Sequence, residues 1–182
     1  MTKRTISKVQ RISKTKLVVV AILLTLITGL LIPQHFSNPV QGADRNSYHH
    51  KSFWYSPWGR SGTHKGVDIF AKRGTEVYSS TGGPVLFAGE VKVGGNVVII
   101  LGPKWRLHYY AHLDDIHASF MSWTNRKEKI GTVGTTGNAK GKPPHLHYSI
   151  ATVIPYPWRI DNTAQGWKKL FYLNPIDYLK GQ

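Results

Sequence analysis

Residues 142–150 read KPPHLHYSI, a Pro-Pro pair followed by a run with the character of a β-strand. Successive side chains of a strand point to opposite faces, so His145 and His147 are predicted to stand side by side on one face. A single strand histidine is commonly a hydrogen-bonded core residue, whereas two on one face suggest a shared task. Two such imidazoles can hold a metal ion together or divide a proton transfer between them.

The rest of the sequence is β-rich. The chain has 182 residues, of which 41% are hydrophobic, with 18 glycines and 10 prolines, which fits one globular domain plus some extra sequence. Val, Ile, Thr and Tyr recur, and helix-favouring runs are scarce. Short β-type runs between turn signals occur at 74–79, 84–91, 96–101 and 107–113. We predict a mainly β fold, a single compact antiparallel sheet domain, in which only 116–126 has helical or irregular character.

The N-terminal part has the pattern of an exported protein. Residues 1–16 are a basic segment. Residues 17–33 follow as an apolar segment, in which a run of sixteen residues (17–32) ends at Pro33. Its sixteen uncharged residues would span about 24 Å as a helix, slightly less than a ~30 Å hydrocarbon core. Because positive charges precede the run, we favour an uncleaved single-pass helix that leaves the domain outside the cytoplasmic membrane. A signal peptide cleaved near Val40-Gln41-Gly42, giving a secreted protein, is the alternative.

Three further segments are predicted. Residues 34–52 are polar and irregular and form a linker, in which His49 and His50 are given no role. Residues 53–155 form the folded domain. Residues 156–182 form a C-terminal aromatic extension packed on it.

Composition narrows the possible partners and sites. The net charge is +15, and because six positive charges lie within residues 1–16, +9 remains for 17–182. Such a basic surface favours nucleic acid, anionic lipid or an acidic cell-wall polymer. The exported location and the lack of a binding motif argue against nucleic acid. The absence of cysteine excludes thiolate metal sites, so any metal must be held by histidines and carboxylates.

Combined, three clusters predict a metal-dependent reaction. His64 precedes Asp68 by four residues, and both are good Zn²⁺ ligands. Together with one of His145 and His147 they make a three-ligand set that leaves a fourth position open. The other histidine of the pair and His112 remain free to move protons. Because no HExxH motif is present, a histidine must act as the general base.

These residues, in this order, closely resemble the M23 family of zinc metallopeptidases, the lysostaphin-like or LytM-like peptidoglycan endopeptidases. The family pattern of H-x-x-x-D, Y-x-H-L and H-x-H is matched at 64–68, 110–113 and 145–147. The resemblance implies a lysostaphin-like (duplicated hybrid motif) fold with an N-terminal hydrophobic helix added. It also implies that His64, Asp68 and His147 bind Zn²⁺, with His145 and His112 as the catalytic pair.

The function implied by the resemblance is that of a zinc metalloendopeptidase that hydrolyses peptide bonds in peptidoglycan cross-links or bridges. Its expected partners are the peptidoglycan peptide and, through the N-terminal helix, the membrane. A regulatory protein partner is unidentified. The alternative is a non-catalytic cell-wall-binding or amidase-regulating module, because some relatives lack zinc ligands. The family resemblance also implies a narrow substrate groove between loops. Trp54, Tyr55 and Trp58 either line this groove or are packing residues of the domain.

Overall fold

A computed structural model describes residues 13–179, a chain that is mainly antiparallel β-sheet. Its two helices are α1 (Lys14–Leu31) and α2 (Ile176–Leu179). The strands are β1 (Val67–Phe70), β2 (Glu76–Tyr78), β3 (Gly83–Val91), β4 (Gly95–Gly102), β5 (Arg106–Ile116), β6 (Trp123–Thr124), β7 (Lys129–Val133), β8 (His145–Thr152) and β9 (Tyr172–Leu173). Short 3₁₀ turns lie at Arg45–Ser47, Gly59–Ser61, Pro103–Trp105, Gly137–Ala139, Pro157–Arg159 and Gly166–Phe171. The predicted antiparallel β fold is confirmed.

The strands pair in the order β1-β8-β5-β4-β3-β6, with β7 joining β2 to β5 and β9 extending from β8. The two central ladders set the register of the KPPHLHYSI stretch. His147 pairs with Asp68 of β1 on one side and with Ala111 of β5 on the other. The strand that carries the two histidines is therefore held between two neighbours and cannot slip without breaking both ladders.

Side-chain alternation along β8 separates the core from the site. Leu146, Tyr148 and Ile150 are fully buried in the hydrophobic core. Because neighbouring strand residues point to opposite faces, His145 and His147 are directed away from that core. The same rule places Val67 and Ile69 of β1 inside and Asp68 on the histidine side.

The segment 34–52, predicted as a linker, is packed against the sheet. Val40 and Tyr48 are buried in the core, and each forms an isolated β-bridge, with Val77 and Ile69 respectively. Phe36 stacks on Tyr178 with ring centroids 4.1 Å apart. Composition hides this packing because only a few apolar side chains of a polar segment face inward.

The two ends of the chain differ in their packing. α1 begins at the Ser13 N-cap and is long and apolar enough to cross a membrane, although a signal sequence has the same properties. Residues 1–12, most of the predicted basic segment, lie outside the described residues. At the other end, Leu173, Ile176 and Leu179 of the C-terminal extension are buried in the core. The stretch 116–126 is irregular except for Ile116, the last residue of β5, and the two residues of β6.

Candidate metal centre

Three side chains from β1, β8 and the loop before β1 converge on one point. His64 Nε2 lies 3.1 Å from Asp68 Oδ1 and 3.1 Å from His147 Nδ1. His147 Nδ1 lies 2.8 Å from the same Asp68 oxygen. All three ligand atoms lie within 4.8 Å of one another. Two imidazole nitrogens and a carboxylate oxygen are the donor set that Zn²⁺ accepts in proteins.

Local backbone structure fixes these three side chains. Asp68 and His147 are paired across the β1–β8 ladder. His64 is joined to the preceding loop by backbone hydrogen bonds, one donated by Trp54 N to its carbonyl (2.7 Å) and one from its own amide to Tyr55 O (2.9 Å). Gly66 lies where β1 meets β8 so closely that a Cβ would be 2.5 Å from the Tyr148 carbonyl oxygen.

The spacing of the three donor atoms fits a zinc ion. Ligands at about 2.0–2.2 Å in a tetrahedral site are separated by about 3.3–3.6 Å, somewhat more than the separations seen here. The Nδ1 of His64 donates to the Ser52 carbonyl oxygen at 3.0 Å, which leaves Nε2 unprotonated in the neutral ring and free for a metal. Small shifts of the side chains would therefore complete a three-ligand site.

The electrostatics of the cluster keep its ligand atoms in the forms that bind metal. Burial raises the pKa of Asp68, but the adjacent His147 and His64 rings outweigh it and hold that pKa well below its usual range. Burial lowers the pKa of His147, although Asp68 opposes the effect. At neutral pH the cluster thus offers a carboxylate and neutral imidazole nitrogen.

Two further histidines flank the cluster. His145 Nδ1 donates to the Pro143 carbonyl oxygen at 2.8 Å, and its Nε2 lies 4.0 Å from Asp68 Oδ2. His112 Nδ1 donates to the Thr136 carbonyl oxygen at 2.9 Å. The two ring centroids are 5.1 Å apart. Both Nε2 atoms therefore carry a lone pair, and burial lowers the pKa of His112 to about 4.

A family model described as peptidase family M23 matches residues 62–157, more than half of the chain. The chain belongs to peptidase family M23. The three motifs at 64–68, 110–113 and 145–147 all lie within the matched range, as does every residue of the cluster.

Two curated relatives show how this M23 chain compares in sequence. The L-Ala--D-Glu endopeptidase of Bacillus subtilis is 34% identical over 115 residues, covering 58% of this chain and 35% of that protein. The murein hydrolase activator NlpD of Escherichia coli is 32% identical over 90 residues, covering 49% of this chain and 23% of that protein. The chain thus matches only about a third or less of the length of these relatives.

Solved M23 structures show the same fold. The catalytic domain of lysostaphin from Staphylococcus simulans superposes with a TM-score of 0.58 at 24% identity, covering 75% of this chain and 95% of that one. A zinc-containing peptidase from Vibrio cholerae gives a TM-score of 0.53 at 27% identity, covering 64% of this chain and 36% of that one. These matches agree with the lysostaphin-like fold expected from the sequence.

The structure brings the five predicted site residues together and places Trp58 against them, whereas the other candidates have different surroundings. Trp58 stacks on the His64 ring with centroids 4.2 Å apart, so it covers one face of that ligand ring. Trp54 is buried and donates its indole N–H to Ala164 O at 2.9 Å, whereas Tyr55 is exposed. His108 lies in the core, with its Nδ1 2.7 Å from the Tyr148 hydroxyl.

Sequence reasoning missed two kinds of feature at this site, the partners of the histidine rings and a backbone conformation. The carbonyl groups of Ser52, Thr136 and Pro143 orient His64, His112 and His145, and a carbonyl leaves no signal in a sequence. His112 also has a positive φ of 64°, an uncommon conformation for a residue other than glycine that occurs often at functional sites.

Proposed function

We propose that this chain is a zinc metalloendopeptidase that hydrolyses peptide bonds in peptidoglycan. The observation that carries the proposal is the convergence of His64, Asp68 and His147 within one metal-sized cluster, with the His145 and His112 rings beside it. The complete ligand set supports catalysis rather than a purely structural role. Membership of M23 and the activity in the name of the Bacillus relative support a peptidoglycan peptide as substrate.

The residues divide the chemistry between holding a metal and moving protons. His64, Asp68 and His147 would hold the zinc ion. When bound, zinc supplies a Lewis acid that lowers the pKa of a water molecule to about 7 and polarises the scissile carbonyl. His145 and His112 each present an Nε2 lone pair, so either ring can accept a proton from the attacking water. Once protonated, the same nitrogen can donate to the oxyanion or to the leaving amine.

Two alanine variants of the full chain test this division. His147→Ala should lose both stoichiometric zinc and the release of peptides from purified peptidoglycan. His145→Ala should retain most of the zinc and lose peptide release, with a decrease of about 10²–10⁴-fold for a missing general base. Exposed His117 gives a matched control, because His117→Ala removes an imidazole outside the cluster. Zinc-loaded chain that leaves peptidoglycan intact would refute the enzyme proposal.

The similarity to NlpD supports one alternative, a regulator of another murein hydrolase. The two functions give different results in one assay. An endopeptidase releases peptides alone and loses activity with His145→Ala. An activator releases none alone, raises the rate of an added amidase, and does so equally with His145→Ala.

α1 would anchor the domain on the outer side of the cytoplasmic membrane. Cleavage after Gly42 would remove Val40 together with the leader, although Val40 is part of the hydrophobic core. This packing supports an uncleaved helix. Intact mass and alkaline extraction of the cell-expressed chain test the proposal, since a cleaved chain would be lighter and would leave the membrane fraction. The +9 charge of residues 17–182 would then attract the domain to acidic wall polymer.

A further inference from the structure

An exposed stretch rich in apolar side chains, residues 120–123, ends at a groove beside the end of α1 and is not used by the proposed chemistry. Phe120, Met121 and Trp123 are 65%, 73% and 68% exposed. Trp123 also lines a groove of about 400 Å³ whose walls include Ile32 and Trp105. Contiguous exposed apolar side chains mark interaction sites in soluble domains.

Trp105 sets the depth of this surface relative to α1. Its indole N–H donates to the Leu26 carbonyl oxygen at 2.9 Å. The ring lies against Gly29 so closely that a Cβ there would be 2.3 Å from Trp105 Cε2. Since α1 ends at Leu31, Trp105 lies alongside its last turn and a half, about 7.5 Å of helix axis. If α1 spans a membrane, Trp105 reaches the interfacial region, where tryptophan is enriched.

Basic residues border the same groove. Lys104 and Arg126 both line it, next to Trp105 and Trp123. Aromatic and aliphatic side chains flanked by cations are the composition of surfaces that lie at an anionic bilayer.

The metal cluster lies at the other end of the central strands. His147 pairs with Ala111, whereas Thr152 of the same strand pairs with Arg106, directly after the Pro103–Trp105 turn. Five residues of strand separate these two rungs, which is about 17 Å. A domain that rests on the α1 end therefore holds the cluster away from the bilayer.

We propose that Lys104, Trp105, Phe120, Met121, Trp123 and Arg126 form an interfacial face that docks on the anionic bilayer in which α1 is inserted. The proposal rests on the anchoring role of α1 given above. Docking at a second point beside the helix fixes the orientation of the domain, so that the metal cluster faces outward at a set height.

The absence of cysteine makes a single-label test possible in the full chain. Met121→Cys and, as a matched exposed site near the metal end, Lys140→Cys would each carry a polarity-sensitive fluorophore. Both chains are reconstituted in nanodiscs with or without phosphatidylglycerol. With anionic lipid, the label at 121 should be shielded severalfold from aqueous iodide and quenched by nitroxide lipid, whereas the label at 140 should remain open to iodide.

Variants of the face separate the electrostatic contribution of its cations to docking from the contribution of its apolar side chains. Lys104→Gln and Arg126→Gln should each weaken docking about fivefold, and added salt should do the same. Phe120→Ser with Trp123→Ser should also expose the label at 121, whereas Trp158→Ser, at a side chain 78% exposed outside the face, should not. Zinc content and circular dichroism check that each variant is folded.

One outcome overturns the docking proposal alone. If the chain floats with the bilayer in a density gradient but iodide quenches the labels at 121 and 140 equally, α1 anchors a domain that does not dock. A chain that fails to float overturns both anchoring and docking. Neither result depends on peptide release, so docking and the proposed enzyme activity fail separately.

Discussion

Gly66 lies between two of the proposed zinc ligands, His64 and Asp68, at a point where the chain runs close to β8. A Cβ at this position would lie 2.5 Å from Tyr148 O and 3.0 Å from His147 Cε1, so Gly66→Ala must push the two strands apart. We expect a loss of about 1–3 kcal/mol in the free energy of unfolding from overpacking. Zinc affinity should fall about 10–100-fold as the ligands lose their orientation. Urea unfolding and zinc competition with a chelator measure the two effects.

Gly82→Ala is the matched control for this prediction. A Cβ at Gly82 would meet its nearest neighbour, Thr124 O, at 3.6 Å, which is ordinary contact. Both substitutions reduce the flexibility of the unfolded chain equally, so the difference between them reports the close approach at Gly66. Equal zinc affinities for the two variants would contradict a positioning role for Gly66.

His108 is the buried histidine that the M23 motifs leave unused, and it makes stability depend on acid. Burial, assisted by the nearby Arg106 charge, lowers its pKa from 6.5 to about 3. Between these values the unfolded chain binds a proton that the folded chain excludes, so stability falls as pH drops from 6.5 toward 3. The slope for one proton is about 1.4 kcal/mol per pH unit.

We expect His108→Gln to remove this part of the acid sensitivity. The variant loses the hydrogen bond between His108 Nδ1 and the Tyr148 hydroxyl, so it should be less stable than the wild type at pH 7. The stability gap should then shrink by about 2–3 kcal/mol by pH 4.5, because only the wild type must keep a buried imidazole neutral in the folded state. Urea unfolding of zinc-free chains at both pH values measures the gap. A gap independent of pH would show that His108 titrates normally in the fold.

At the scale of elements, the segment before the domain stabilises the sheet. Two backbone hydrogen bonds join this segment to the β2 region: Tyr78 N donates to Pro39 O (2.8 Å), and Gln41 N donates to Glu76 O (3.0 Å). The Val40 side chain of the same segment is buried. A fragment 44–182 should therefore be less stable than a fragment 34–182 by at least about 2 kcal/mol, the cost of losing one buried valine and its neighbours. Urea unfolding of both fragments measures this difference.

Fragment 34–182 with Val40→Ala separates the side chain from the backbone. Because it keeps the backbone hydrogen bonds, it should unfold between the other two fragments. Coincident unfolding curves for 34–182 and 44–182 would restore the simple linker predicted from composition.

The strands and the segment before them show what sequence could and could not predict. Short β-type runs between turn signals predicted 84–91, 96–101 and 107–113, and the observed β3, β4 and β5 contain them with one to three residues added at their ends. These strands are predictable because apolar and β-branched residues are concentrated between turn residues. The packing of Val40 is a tertiary contact made by an isolated apolar residue, which has no periodicity to detect.

The candidate site likewise has features that the sequence could predict and features that it could not. Motif spacing and the resemblance to M23 named five residues that the fold brings together, because metal binding and proton transfer restrict the types of side chain that can serve. The stacking of Trp58 on His64 and the carbonyl partners of the histidines depend on loop conformation. Such contacts are set by the folded backbone and not by residue identity, so the sequence left the role of Trp58 open.

At the scale of the whole molecule, the charge of the chain should affect reaction with intact wall but not the chemistry itself. Residues 17–182 carry +9, and a field of this sign raises the encounter rate with an anionic polymer. Because salt shortens the Debye length from about 10 Å at 0.1 M to about 3 Å at 1 M, peptide release from intact peptidoglycan should fall about tenfold over that range. Hydrolysis of a short uncharged peptide with the same scissile bond should change little, since its encounter gains nothing from the field. Initial rates on both substrates across the salt series measure the contrast, and parallel decreases would indicate that salt acts on the folded site rather than on long-range attraction.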